Sequence, residues 1–156
     1  MIDRANQSIL TWKFTDPRVA DTVVLPELIQ PLRGQLKEVL ADAGYLSNQN
    51  CFAIRMAGAT PFIRPKSTTI KVHREGRKGK GKWRATPAFS DMMQAHATQP
   101  DWMAQYFRRN SVESAFAAVK RRVGGILAAV TAHMLRIEAA LKLVAWNLLR
   151  LGNVEY

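Results

Sequence analysis

Acidic residues are scarce in this 156-residue chain: 12 Asp and Glu stand against 23 Lys and Arg, for a formal net charge of +11. That imbalance disfavours a basic partner and makes a polyanion the leading class of ligand, with nucleic acid ahead of an anionic membrane. Cysteine is reduced to Cys51, which excludes a disulfide framework and a thiolate metal cage and fits a reducing cytosol. His73, His96 and His133 have no spacing to one another or to Cys51 that suits zinc or a nucleophilic pair. The opening MIDRANQSILTWKF lacks the apolar stretch and small-residue cleavage site of a secretory leader, so export is not expected. The most apolar segment, Ile126 to Leu151, is interrupted by His133, Arg136, Glu138, Lys142, Asn147 and Arg150. Each is costly in hydrocarbon, so the segment reads as a buried helix of a soluble protein.

What is present suits one domain with a core, since 47% of the residues are hydrophobic. Ser8 to Thr15 reads as a strand entered through a hairpin at Arg4 to Gln7, with Met1 to Asp3 as the stub of its partner and Asp3 as a turn residue. Asp21 or Thr22 caps a short helix whose Val24, Leu25, Leu28 and Ile29 recur at helical spacing, with Pro26 in its first turn and Pro31 at its end. Lys37 to Ala41 reads as a buried strand delivering Asp42. Ser47 caps a helix to about Ala57, Gly58 stops it, and Thr60 to Ile63 is a further strand. From Arg64 to Arg84 there are nine Lys or Arg and no hydrophobic period, which predicts a basic loop whose Lys78, Lys80 and Lys82 contact phosphates. Helices are expected over Asp91 to Ala97, Trp102 to Phe107, Val112 to Val123 and Leu127 to Leu149. The domain thus reads as residues 1–63 with strands and helices, a basic loop at 64–84, and a helical part at 85–156.

The most informative stretch is Tyr106-Phe-Arg-Arg109-Asn-Ser-Val-Glu113, continuing to Lys120. Its Tyr, Arg, Glu and Lys stand 3, 4 and 7 residues apart, which on a continuous helix aligns them within roughly 60° as one stripe. Val112, Phe116, Val119 and Val123 form an apolar stripe beside it. Asn110 or Ser111 offers a point where the helix breaks and restarts. This arrangement resembles the Tyr-Arg-Glu-Lys motif of the DDE transposases of bacterial and archaeal insertion sequences. Leu40-Ala-Asp42-Ala-Gly44-Tyr45-Leu-Ser47 is similar to that family's strand carrying the second catalytic aspartate. Ile9 to Leu28, with Thr15 and Asp21, resembles the strand and helix before it. Lys120-Arg-Arg-Val-Gly124 and Trp146-Asn147-Leu148 fit as well.

The resemblance implies an α/β fold of the RNase H-like type, partial and without its first strand, with a short mixed sheet flanked by helices and a helical C-terminal half. It implies cut-and-paste DNA transposition, in which three carboxylates hold Mg2+ ions that activate water or a 3′-hydroxyl and stabilise the leaving oxygen. By position Asp42 matches the second acid and Glu113 the third, both as catalytic and metal-binding residues. Tyr106, Arg109 and Lys120, with Arg121 beside them, match contacts to double-stranded DNA at transposon ends and target. The first acid belongs on a strand that precedes this sequence, so the expectation is a fragment that is inactive alone. With that central strand gone, low solubility, homo-oligomers or pairing of Lys37–Ala41 with Ser8–Thr15 are expected. The alternative is a non-catalytic DNA-binding product that inhibits transposition; in either case the expected location is the cytoplasm, at the nucleoid.

Overall fold

The computed structural model describes residues 1–16, 18–75 and 85–152. Two compact units emerge, one formed by Thr15–Arg108 and the other by Met1–Phe14 with Arg109–Tyr156. None of the described helices is long and apolar enough to cross a membrane.

The Thr15–Arg108 unit is built on strands β1 (Glu38–Ala41) and β2 (Thr60–Ile63), paired in parallel with Glu38 opposite Thr60 and Ala41 opposite Ile63. Parallel neighbours need a crossover, and helix α2 (Asn48–Met56) supplies it. Ser47 caps α2 by accepting the Asn50 N–H at 3.0 Å, and Gly58 ends it at φ +86°, as local chemistry predicts. The α2 face that turns inward is Asn50, Cys51 and Ile54, at the one-and-four spacing of a helix stripe. Val39 and Ala41 of β1 are buried, as are Phe62 and Ile63 of β2.

Helix α1 (Asp21–Ile29) packs on α2 and buries Val24, Leu25 and Ile29. Its start differs from expectation. Ala20 is the N-cap and makes no side-chain cap bond, while Pro26 lies inside the helix rather than in its first turn. An interior proline costs about 3 kcal/mol. Burying three aliphatic side chains at about 1.5–3 kcal/mol each outweighs it.

Helix α3 (Ser67–Glu75) corrects the first part of the expected basic loop. Ile70 packs against the core cluster and donates its N–H to the Lys66 carbonyl at 3.0 Å; a single apolar anchor among cations leaves no period to read. Helices α4 (Pro87–Thr98) and α5 (Trp102–Phe107) complete this unit. Thr86 caps α4 and Pro87 occupies its first position. Ala88, Phe89, Met92 and Met93 close over Cys51, Phe62, Trp102 and Tyr106.

In the other unit α6 (Asn110–Val123) pairs with α7 (Ala132–Gly152). Of the strand expected over Ser8 to Thr15 only the start pairs with the Met1–Asp3 stub: Ile2 and Ile9 form an antiparallel bridge, the Asp3 N–H donates to the Ser8 carbonyl at 2.8 Å and the Leu10 N–H to that of Met1 at 3.0 Å. Asn147 of α7 bonds the backbone groups of Ile9 itself. Its Oδ1 accepts the Ile9 N–H at 2.8 Å and its Nδ2 donates to the Ile9 carbonyl at 2.8 Å. Trp146 Nε1 donates to the Gln7 carbonyl at 2.9 Å and Arg150 Nε to that of Asn6 at 2.7 Å. Ile9, Val119 and Trp146 form the core beneath these bonds. Helix α7 starts at Ala132, later than the expected Leu127, because Thr131 Oγ1 caps it by accepting the Met134 N–H at 3.2 Å.

Candidate functional site

Strand β1 ends by presenting Asp42, whose Oδ1 accepts the Ala43 N–H at 2.6 Å and so caps the single 3-10 turn Ala43–Tyr45. The Tyr45 N–H closes that turn on the Asp42 carbonyl at 2.9 Å. Two elements hold it. From α2, the fully buried Asn50 donates Nδ2 to the Tyr45 carbonyl at 2.7 Å. From α1, Asp21 lies so close that a Cβ at Gly44 would sit 3.1 Å from its Oδ2. Asp21 is therefore the first helical residue, beside the Asp42 turn, and not the expected cap. Burial, then the charges of Asp21 and Asp42, push the Tyr45 phenol above its ordinary pKa. Asn50 escaped the sequence reading, because an Asn in the first turn of a helix ordinarily faces water.

The expected four-residue stripe is divided. Helix α5 ends at Phe107, Arg108 and Arg109 form a turn, and α6 begins at Asn110. The closing bonds there are short-range, Arg108 N–H to Gln105 and Val112 N–H to Arg109, which tightens the chain and ends α5. Tyr106 is a core residue, 4% exposed and stacked on Trp102 with ring centroids 5.6 Å apart. Glu113 and Lys120 lie on α6, 7 residues apart, and Arg109 is the residue just ahead of its first turn. Arg109 Nη1 pairs with Glu113 Oε1 at 3.6 Å, and Glu113 in the first turn also meets the positive end of the helix. Lys120, Arg121 and Arg122 fill the last turn, all exposed. The apolar face is corrected too: α6 buries Ala115 and Val119, and Phe116 is 45% exposed.

Asp42 and Glu113 belong to different units. Among the described residues no group of three His, Cys, Asp or Glu side chains is placed to hold a metal ion. Carboxylate oxygens are the right kind of donor for Mg2+, but these residues do not by themselves fit a multi-carboxylate Mg2+ site. Lys78, Lys80 and Lys82 lie outside the described residues. Cys51 is fully buried and its thiol is pushed up to about 12, which removes it as a nucleophile. His96 lies edge-on to Trp102 at 4.7 Å, its pKa lowered by burial and by Arg64. A family model described as transposase DDE domain matches residues 1–148. No curated protein and no solved structure matches significantly.

Proposed function

The chain belongs to the transposase DDE domain family, and from that premise we propose that it is part of the catalytic domain of a DDE transposase of the Tyr-Arg-Glu-Lys type, with an RNase H-like fold. The observation that carries this reading is the family match over residues 1–148, within which both acids expected from the motifs fall. Asp42 and Glu113 are the catalytic carboxylates for Mg2+-dependent cleavage and strand transfer in the intact protein. Asp42 stands exposed at the end of β1, where an αβ sheet presents ligand-facing groups. Glu113 is oriented by Arg109. Arg109, Lys120 and Arg121 bind the phosphates of transposon-end DNA, Lys78, Lys80 and Lys82 add to them, and Tyr106 is a further residue of the motif.

The 156 residues alone do not cut DNA, because their two assigned carboxylates are too few for the three-carboxylate site of the family. The purified chain, incubated with supercoiled plasmid and Mg2+ or Mn2+, is expected to bind DNA with an affinity that falls steeply with salt, and to leave it uncut. Nicking that disappears in Asp42→Ala would refute the inactivity. Absence of retention on duplex DNA would refute the binding. A second reading, a non-catalytic DNA-binding inhibitor of transposition, draws on the exposed cations Lys120, Arg121 and Arg122 at the end of α6. It is distinguished by adding the chain to a complete transposase and measuring whether strand transfer falls.

A further inference from the structure

We propose that the loop between α6 and α7 is a wedge for duplex DNA: Lys120, Arg121 and Arg122 seat on phosphates while Ile126 and Val130 enter between bases. The inference rests on the DNA-binding reading above and adds Arg122, Ile126 and Val130 to its contacts.

Helix α6 ends in three consecutive exposed cations. Gly124, at φ +87°, then turns the chain out of the helix. A Cβ on Gly125 would lie 3.5 Å from the stem of Lys120, so the loop starts folded back on the cationic turn. Beyond it, Ile126 is 84% exposed and Val130 97%, the two highest values among the exposed large apolar residues of the described chain.

Single exposed apolar side chains are ordinary on protein surfaces. These two differ because the backbone that carries them is pinned. Glu138 of α7 accepts the N–H groups of Ala128 and Ala129 at 2.9 and 3.0 Å. Lys142 pairs with Glu138 at 3.1 Å and donates to the Ile126 carbonyl. Three polar backbone groups of the loop are thus bonded to α7, while its apolar tips stand in water. Both tips are β-branched and stiff at χ1, so little freedom is lost on insertion. Charge complementarity names the occupant: a stiff aliphatic tip next to cations is the combination that unstacks a base step while phosphates are gripped.

The test measures binding to a labelled duplex by anisotropy and unstacking by 2-aminopurine placed at successive positions. The parent chain is expected to bind and to raise 2-aminopurine emission about twofold or more at one position. Ile126→Ser with Val130→Ser is expected to abolish that rise and keep affinity within about tenfold. Its melting temperature stays unchanged because both side chains are exposed. Ala at Lys120, Arg121 and Arg122 together is expected to reduce the slope of log affinity against log salt by about 2.7. Binding with flat emission at every position, or a rise that survives the double serine variant, overturns the wedge while leaving the DNA-binding reading intact. Failure to bind duplex at all removes that reading and the wedge with it. Flat emission together with serine-sensitive binding to phosphatidylserine vesicles, or serine-sensitive dimerisation, also overturns the wedge and reassigns the tips.

Discussion

Replacing Asn147 by alanine removes both hydrogen bonds that fasten Ile9, each 2.8 Å long, and leaves the Ile9 N–H and carbonyl without their partners. A side-chain hydrogen bond contributes about 0.5–1.5 kcal/mol net, and a buried group left unsatisfied costs about 1–3 kcal/mol. These groups are only part-buried, so water recovers some of the loss and a total of about 2–3 kcal/mol is expected. At about 2–4 °C per kcal/mol for a chain of this size, the melting temperature falls by roughly 4–12 °C. Asn147→Asp is a sharper probe. Its carboxylate still accepts the Ile9 N–H but sets an oxygen against the Ile9 carbonyl, so the loss relative to the parent is larger at neutral pH than near about pH 4, where a protonated carboxyl can donate again. Circular dichroism melts give the stability, and limited proteolysis reports release of residues 1–14. An Asn147→Ala melt within about 1 °C of the parent, with no faster cleavage in that segment, would refute the clamp.

Glu138 is held below the ordinary carboxylate pKa, first by its bond to Lys142 and then by the Ala129 N–H. A lowered folded value means that the clamp is fully in place above the ordinary carboxylate range and is lost as pH falls through that lowered value. The amide resonances of Ala128 and Ala129 are expected to shift only below the ordinary range, and a shift centred above it would contradict the assignment. Cys51, with a thiol at about 12 and no exposure, should resist a disulfide reagent at pH 8 in the native chain and react once denatured; rapid native reaction would show that its cover opens. Gly44→Ala places a Cβ 3.1 Å from Asp21 Oδ2, and since an exposed carboxylate can move aside, the cost should be under about 1 kcal/mol. Adding Asp21→Ala should remove that cost in melts, and an unchanged penalty would show that the two do not touch.

The parts legible in the sequence are those whose causes are local. Ser47 and Gly58 bracket α2 with their own side-chain and backbone chemistry, so its start, its end and the register that leads into β2 follow from a few neighbouring residues. Asp42 was legible for the same reason, as the polar residue that ends a short buried strand. The misread parts depend on partners far along the chain. Ser8 to Leu10 pairs with Met1–Asp3 as the local pattern indicates, but the partner that satisfies Ile9 is an amide 138 residues away, and no period within the segment encodes it. Tyr106 carries the motif spacing and also the bulk of a core aromatic. Its stacking on Trp102 follows from the packing of α5 and the break at Arg108 and Arg109, not from its distance to Glu113. A spacing argument assumes an unbroken helix, and the two-residue turn ahead of Asn110 is enough to part Tyr106, which fills a core, from Glu113 and Lys120 on α6. Glu113 and Lys120 therefore share α6 with Arg109 just ahead of its first turn, while at Tyr106 the same spacing is met by a residue packed in a core.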